Sequence, residues 1–464
     1  MEEKQLRKNY LSIFEVVALS VSIIAPTMAM AFNTSLTAQV AGGAVPLSFL
    51  VGTVAMLLVG VSFFEFSKRI PHSGSVYAYN ARGLGPKAGF VSGWALTATY
   101  FAYAAATAGL FGNFANVFLQ HFGLHLPEWS LVLLGIGLVW LFSFRDVRLS
   151  TRTALLLEGV SIVVLLVLSL VIVGKGGAAG NTVVPFTLGS GGASGVGMGI
   201  IFAILSFAGF EGAATLGEEA KNPKRAVPLA IYGTVIAAGI FFVFVSYAQV
   251  VGFGMGHIKA LQTSQAPLDA LATTYVGNAM AVFVDFAAMI SAFACSLGSA
   301  NAGSRMLFAL GRDGTLPKVL GSVHPIHGTP HMSVHVLGIF MVVSYLLVGV
   351  PAGAANFYGY FGTVGTLTLL VAYLLINLSA IRYFRRHREG GYSPIRHLVI
   401  PILGFLILLW PVYGNLYPVP AYPYNLFPYI AGAWIVLGIV LIRVMSGRDP
   451  GLADRIVADM EVSS

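Results

Sequence analysis

The stretch Ser22-Ile23-Ile24-Ala25-Pro26-Thr27 interrupts an apolar segment that runs from Ala18 to Phe32. Pro26 has no backbone N–H and its ring clashes with the preceding turn, so a helix through this segment is expected to break here. Lipid offers no hydrogen bonds to the amide groups that a break frees, so breaks at bilayer depth occur where protein encloses them. This stretch therefore predicts a discontinuous membrane helix.

A second apolar segment, from Gly195 to Gly217, is interrupted in the same way at Ser206-Phe207-Ala208-Gly209-Phe210-Glu211. Gly209 has a low helical preference, which favours an unwound backbone at this place. Each interrupted segment begins a group of about five hydrophobic spans, and such a matched pair indicates the midplane binding site of a transporter.

The composition predicts an all-α integral membrane protein with a single membrane domain. Of the 464 residues, 57% are hydrophobic and 9% are charged, and the mean hydropathy is +0.82. The net charge of +8 does not indicate a nucleic-acid partner, because the basic residues form short clusters between apolar runs. The cluster from Arg382 to Arg396 is expected to contact anionic lipid head groups, and no obligate protein partner is implied.

The hydropathy pattern predicts roughly twelve spans. We place them at 12–38, 43–67, 86–119, 129–146, 151–173, 194–217, 226–253, 278–311, 331–350, 355–384, 396–417 and 424–445. With these spans, 24 of the 26 lysines and arginines lie on the side of the amino terminus, and Lys175 and Lys259 lie on the other. The positive-inside rule then predicts a multi-pass protein of the plasma membrane, in a prokaryote the cytoplasmic membrane, with both termini in the cytoplasm.

The spans divide into two groups of five, at about 12–173 and 194–384, followed by two more at about 396–445. The second break lies five spans after the first, an odd offset, so the groups have opposite orientations, as in an inverted repeat. The glycine-rich connector at 174–180 lacks the spacing of a phosphate-binding loop and is expected to be an exterior loop.

Several motifs resemble those of the amino acid-polyamine-organocation (APC) permeases. They are Phe207-Ala208-Gly209-Phe210-Glu211 with the following Glu218-Glu219-Ala220-Lys221-Asn222-Pro223, then Ala309-Leu310-Gly311-Arg312-Asp313-Gly314-Thr315-Leu316-Pro317, and Pro71-His72-Ser73-Gly74. The resemblance implies a LeuT-type fold, in which ten core helices form an inverted five-plus-five repeat, here with two additional C-terminal helices. It also implies transport of amino acids or related amines without an organic cofactor.

The chain departs from that family at the first break. Members commonly carry a Gly-Ser-Gly-like sequence there, whereas this chain has Pro26-Thr27-Met28, and Met28 fills space that glycine leaves open. Some proton-coupled relatives have a lysine in helix five, and this chain has none between Arg152 and Lys175. Leu205 stands where some antiporters of the family place a gating tryptophan.

The two breaks are the predicted substrate site. One half of a broken helix exposes N–H groups and the other exposes carbonyls, a polarity that suits a zwitterion. We expect the backbone amides around Ala25, Pro26, Thr27 and Met28 to receive a carboxylate. The carbonyls near Ser22, Ile23, Phe207 and Ala208 are expected to receive an ammonium group. Tyr100, Tyr103, Phe207 and Phe210 are expected to cover the substrate. The alternative is a simple proline kink with aromatic side chains that only pack.

Two carboxyl groups inside apolar spans, Glu211 and Glu158, are the predicted proton-coupling residues. An ionised carboxylate there costs about 2.5–3.5 kcal/mol, so each is expected to exchange a proton or to be a hydrogen-bonded structural acid. The resemblance implies proton-linked gating for the helix-six glutamate, Glu211. Sodium is the alternative coupling ion, with oxygens from Ser296 and Ser299 near Ser161.

Together these features predict a secondary active transporter that takes up amino acids with protons by alternating access. The alternatives are an amino-acid or polyamine exchanger and a sodium-coupled symporter. A membrane enzyme is not predicted, because the sequence has no H-E-x-x-H or nucleotide-binding motif. We interpret His324, His327, His331 and His335 as a cytoplasmic loop entering span nine, since Pro325 and Pro330 prevent a helix from aligning them on a metal.

Overall fold

The computed structural model of the protein describes residues 12–70, 75–145, 148–216, 220–388, 391–449 and 451. Parts of the predicted pattern lie outside the described residues, among them Lys4, Arg7, Lys8 and the motif residues 71–74 and 218–219. The backbone of Ser22 is described, whereas its side chain is not.

Within these ranges the chain folds into α-helices joined by loops. The helices are α1 (Ile13–Ile24), α2 (Pro26–Ala41), α3 (Val45–Ser67), α4 (Ser75–Leu84), α5 (Pro86–Gln120), α6 (Glu128–Arg145), α7 (Arg148–Gly174), α8 (Gly192–Phe207), α9 (Pro223–Phe253), α10 (Ile258–Thr263), α11 (Pro267–Tyr275), α12 (Asn278–Arg312), α13 (His331–Ser344), α14 (Val350–Ala352), α15 (Ala354–Arg386), α16 (Ile400–Gly414) and α17 (Phe427–Arg448). A 3₁₀-helix, Phe210–Leu216, follows α8, and π-helical turns at Tyr345–Gly349 and Ile395–Val399 precede α14 and α16.

The outer surface of the helix assembly is apolar. Among the described residues, nine helical segments are long and apolar enough to cross a membrane. Large side chains such as Leu156, Ile240 and Leu347 are 69%, 68% and 72% exposed. An exposed apolar surface of this extent suits lipid rather than water. The prediction of an all-helical, multi-pass membrane protein is therefore confirmed at this level.

The longest helices follow the predicted spans closely. α5, α12 and α15 begin and end within two residues of the ranges 86–119, 278–311 and 355–384. The hydropathy pattern missed α4, α10 and α11, because each is short and lies in a connecting segment of mixed polarity.

Small residues let the central helices approach one another. α5 packs along both α12 and α15, while α3 packs on α9 and α2 on α8. Ala104, Ala105 and Ala108 on α5 are at most 1% exposed. Without a hydrophobic driving force between helices in lipid, such close packing is a main source of helix association. This central group of helices holds both interrupted segments.

Both predicted interruptions are present in the structure. α1 ends at Ile24 and α2 begins at Pro26, with Ala25 between them in a left-handed conformation (φ 46°, ψ 64°). α8 ends at Phe207 and is followed by Ala208 in an extended conformation (ψ 129°) and by Gly209 at φ 97°. A non-glycine residue with positive φ is strained, so the surrounding structure must impose the conformation of Ala25.

Candidate functional site

The first interruption leaves two backbone donors at the amino end of α2, and side chains from two other helices accept both. The N–H of Ala25 still donates to Val21 O at 2.9 Å, and Pro26 has no N–H. The N–H of Thr27 donates to Glu158 Oε1 on α7 at 2.8 Å. The N–H of Met28 donates to Ser291 Oγ on α12 at 3.1 Å. The amides predicted to hold a substrate carboxylate therefore have protein partners in this structure.

Glu158 is a carboxylate at the positive end of a helix. Its side chain is 2% exposed, and the partial positive charge at the amino end of α2 attracts it. An acidic group in this place satisfies one of the donors that the break frees. Glu158 thus occupies a position that a bound anion would otherwise take.

Ser291, the serine of α12 at this break, was not among the predicted site residues. Ser291, Cys295 and Gly298 are spaced by four and three residues, which places them on one face of α12. That face meets the first interruption, where Cys295 Sγ donates to Ile23 O at 3.0 Å. Ser296 faces α5 instead and donates to Ala104 O at 2.8 Å, while Ser299 is buried on α12. The small-residue spacing at 291, 295 and 298 is the signal that could have identified this face.

The two interruptions are in direct contact through Ile23. Its side chain lies against Gly209, Gly212 and Gly298, where an added Cβ would come within 2.6 Å of Ile23 Cβ, 2.6 Å of its Cδ1 and 2.9 Å of its Cγ1, respectively. Ile23 is 4% exposed. The space that these glycines leave is filled by Ile23, so a substrate would need this side chain to move.

Ser20 bridges the second interruption from α1. Its Oγ donates to Phe210 O at 3.1 Å and accepts the N–H of Ala213 at 3.1 Å. One hydroxyl thereby joins α1 to a carbonyl and an N–H of the 3₁₀-helix, in a site that is fully buried.

Replacing Ser20 by alanine is expected to destabilise the protein, because it removes two buried hydrogen bonds between α1 and the 3₁₀-helix, each of which contributes about 0.5–1.5 kcal/mol. The measurement is the apparent melting temperature in detergent. Ser92→Ala is the matched control, since Ser92 is also buried but, in the described part of the chain, bonds only to Gly89 O of its own helix, at 2.7 Å. Equal melting temperatures for the two variants would contradict the bridging role.

Glu211 follows the second interruption and is held by two tyrosines from different helices. Tyr100 OH on α5 donates to Oε1 at 2.9 Å, and Tyr373 OH on α15 donates to Oε2 at 2.8 Å. Glu211 is fully buried. The sequence singled out Tyr100 but missed Tyr373, because one tyrosine in a long apolar helix has no distinguishing pattern.

The predicted aromatic covers pack against the surrounding helices. The ring of Phe207 lies 5.0 Å from that of Phe242 on α9, and the ring of Phe210 lies 5.2 Å from that of Phe63 on α3. Tyr103 lies between α5 and α15, where its OH is 2.9 Å from Thr366 Oγ1. In this arrangement the three rings form part of the core around the breaks.

A polar network that sequence reasoning missed lies along α2, beyond the first interruption. Asn33 Nδ2 donates to Ser206 Oγ at 2.6 Å, and Tyr358 OH donates to Asn33 Oδ1 at 2.7 Å. Gln249 Nε2 donates to Met30 O at 2.8 Å. These bonds connect α2 to α8, α9 and α15, and a fully satisfied buried network fixes one helix arrangement.

A groove of about 230 Å³ lies beside Pro26, between α1, α7 and α9. Val17, Ile162 and Phe241 are among its apolar lining residues, and none of its lining residues comes from the second interruption. This groove is therefore not the predicted substrate site between the two breaks, where the Ile23 side chain fills the space beside the glycines.

The histidines near 324–335 stack on one another and on aromatic residues. The rings of His324 and His327 are 4.8 Å apart, and Trp140 Nε1 donates to His335 Nδ1 at 3.0 Å. His331 and His335 begin α13, while His324 and His327 precede it. His324 and His327 therefore lie in the predicted loop, whereas the prediction was wrong for His331 and His335, which lie in the helix itself.

Interrupted helices that meet deep inside an apolar helix assembly are typical of membrane carriers. The chain matches the amino acid permease family over residues 15–444 and belongs to that family, within the APC superfamily. The resemblance drawn from the motifs is thereby confirmed, and the protein is a permease rather than an enzyme.

The chain is similar along most of its length to several permeases. It is 28% identical to the branched-chain amino acid permease BcaP of Lactococcus lactis subsp. cremoris, covering 94% of each chain. It is 25% identical to the low-affinity putrescine importer PlaP of Escherichia coli K12, covering 88% of each. It is 28% identical to the methylthioribose transporter of Bacillus subtilis, covering 87% of this chain and 88% of the other.

Proposed function

We propose that this permease takes up neutral amino acids together with protons, by alternating access around the two interruptions. The proposal includes twelve spans, an inverted five-plus-five repeat of the LeuT type and cytoplasmic termini, in a prokaryotic cytoplasmic membrane. The charge distribution of the sequence and the two interrupted helices support this arrangement.

One observation carries the proposal for proton coupling. Each interruption has one buried carboxylate, Glu158 at the first and Glu211 at the second, and in the described part of the chain neither forms an ion pair. Their hydrogen-bond partners are uncharged N–H and O–H groups. A buried carboxyl without a cationic partner changes its charge by gaining or losing a proton, which is the behaviour that proton coupling requires.

The same contacts supply a coupling mechanism at the first interruption. A substrate carboxylate that approaches the amino end of α2 competes with Glu158 for the N–H of Thr27. Two anions at one helix end repel each other, so the substrate binds best when Glu158 is neutral, that is, after it has taken up a proton. The substrate ammonium then interacts with carbonyls near Ile23 and Ala208, and Ile23 leaves its recess to make room.

The charges around the breaks favour neutral amino acids over polyamines. A diamine needs a second buried anion for its second ammonium group, because a buried charge without a partner is costly. Of the two nearby carboxylates, Glu211 already accepts hydrogen bonds from Tyr100 and Tyr373, and Glu158 must be neutral in the proposed mechanism. One zwitterion with an apolar side chain satisfies these constraints.

Uptake by proteoliposomes tests the proposal. An inward proton gradient is expected to raise the initial rate of uptake of a neutral amino acid by about 5-fold or more. This factor is the lower end of the range usually found when binding at one site changes the affinity at another. Counterflow is expected to saturate with substrate, as it does for a carrier but not for a pore. The same assay with putrescine tests the substrate, and the same assay with a sodium gradient tests the coupling ion. Uptake that is independent of the proton gradient, or that is faster for putrescine than for the neutral amino acid, would contradict the proposal.

A further inference from the structure

Three ionisable side chains from separate elements meet near the carboxyl end of α5. His121 directly follows α5, Asp269 lies in the first turn of α11, and Asp285 lies in the early turns of α12. His121 Nε2 is 2.9 Å from Asp285 Oδ2 and 3.4 Å from Asp269 Oδ1. One ligand atom from each residue lies within 4.8 Å of those of the other two.

Within the described ranges, one imidazole is the ion-pair partner of both aspartates in this cluster. Asp285 is 1% exposed, and Oδ1 of Asp269 is shielded from solvent and has the 3.4 Å contact with His121 in place of a hydrogen bond. Among the residues that the structure describes, neither aspartate pairs with a lysine or arginine. Buried carboxylates are normally paired with cations or bound to metals, and here a single imidazole is shared by one buried and one partly exposed carboxylate.

We propose that His121, Asp269 and Asp285 form a binding site for a divalent transition metal of the zinc class. Zinc is bound by imidazole nitrogen and carboxylate oxygen at 2.0–2.2 Å in a tetrahedron, so its ligand atoms lie roughly 3.3 Å apart. The separations of 2.9 and 3.4 Å are close to that value. An imidazole ligand favours zinc, nickel or copper over magnesium and calcium, which prefer oxygen ligands.

The cluster is open enough to admit an ion and to keep one coordination position for water. The side chains of His121 and Asp269 are 18% and 26% exposed, while Asp285 forms the buried side of the site. Three protein ligands with one open position are a common arrangement for zinc.

A metal at this place would join α11 to α5 and α12. α11 belongs to the segment between α9 and α12, which in the proposed topology lies on the outer face of the membrane. This consequence rests on the proposed function: if the outer side of the carrier opens by movement of α11, external zinc holds it closed and slows uptake.

Metal binding is tested on the purified full-length protein in detergent, with measurements that do not depend on transport. Micromolar ZnCl₂ is expected to raise the apparent melting temperature, whereas MgCl₂ is not. Cobalt chloride is expected to give the visible absorption of a tetrahedral Co²⁺ site. His121→Asn and Asp269→Asn are each expected to weaken binding by about 10-fold or more, at least as much as loss of an outer-shell partner. His125→Asn is the matched control, because His125 is exposed in the same loop.

Equal zinc affinity in the native protein and in His121→Asn would overturn the site, and so would the lack of any zinc effect on the native protein. A second measurement addresses the gate. External ZnCl₂ is expected to slow proteoliposome uptake by the native protein and by His125→Asn, but not by His121→Asn. If zinc binds but does not slow uptake, the proposed effect on opening is wrong and the metal site still stands. If uptake proves independent of the proton gradient, the proposed function is wrong and the metal site still stands.

Discussion

Replacing Glu158 by glutamine is expected to abolish the stimulation of uptake by an inward proton gradient, while substrate exchange across the membrane continues. Glutamine keeps an oxygen that can accept the N–H of Thr27, so the amino end of α2 remains capped. It cannot ionise, so the substrate carboxylate no longer needs a proton to displace it. The measurement is initial uptake with and without the gradient, together with counterflow, and the expected loss of stimulation is about 5-fold or more.

Glu128→Gln is the matched control for this experiment. Glu128 also accepts the N–H of a residue at the start of a helix, Ala354, at 3.1 Å, but it lies at the start of α6 and away from both interruptions. Its replacement is expected to leave the gradient response intact. If Glu158→Gln retains the native response, Glu158 is a structural cap and the proposed competition with substrate is wrong.

The variant Glu211→Gln distinguishes the role of Glu211 from that of Glu158. Glu211 connects the segment after the second interruption to α5 and α15 through Tyr100 and Tyr373. We assign it to the conformational change, so its replacement is expected to slow counterflow as well as gradient-driven uptake. Loss of the gradient response with normal counterflow in Glu211→Gln would assign substrate-linked proton binding to Glu211 instead.

Replacing Gly209 by alanine is expected to cause the largest loss of stability among single changes at the breaks. Gly209 has φ 97°, where a side chain costs about 1–3 kcal/mol of backbone strain. The added Cβ would also collide with Ile23, and overpacking of a buried site costs about 1–3 kcal/mol more. The measurements are the apparent melting temperature in detergent and the amount of folded protein recovered from membranes.

Two further variants separate the causes of this loss. Gly432→Ala on α17 is the control, because an added Cβ there meets nothing within 4 Å. Ile23→Gly removes the side chain with which the added Cβ collides, but the backbone strain at position 209 remains. Gly209→Ala is therefore expected to cost less stability in the Ile23→Gly background than in the native one. If Gly209→Ala is as stable as Gly432→Ala, the contact between the two interruptions is not as described.

Local sequence was sufficient to predict where the helices break. Pro26 lacks a donor and Gly209 lacks a side chain, and these properties act on the backbone within one turn whatever the neighbours are. The ends of α5, α12 and α15 followed from hydropathy for the same reason, since the bilayer selects long apolar segments. The predicted roles of the break residues, by contrast, remain proposals.

The partners at the breaks could not be predicted, because they come from helices far away in the sequence. Glu158 is 131 residues from Thr27, and Ser291 is 263 residues from Met28. The sequence suggested Ser296 as an oxygen ligand, yet a shift of five residues along α12 turns its side chain toward α5. The small-residue spacing at 291, 295 and 298 distinguishes one face of α12, but it does not indicate which neighbouring helix that face meets.

The sequence by itself determined that this protein is a membrane permease with two interrupted helices, since hydropathy, breaker residues and family motifs are properties of neighbouring residues. Only the tertiary structure decided that Glu158 caps the amino end of α2, that Ile23 fills the recess formed by Gly209, Gly212 and Gly298, and that His121 meets two aspartates. These contacts depend on how helices rotate and approach in close packing, which is set by the whole assembly of side chains rather than by any local pattern.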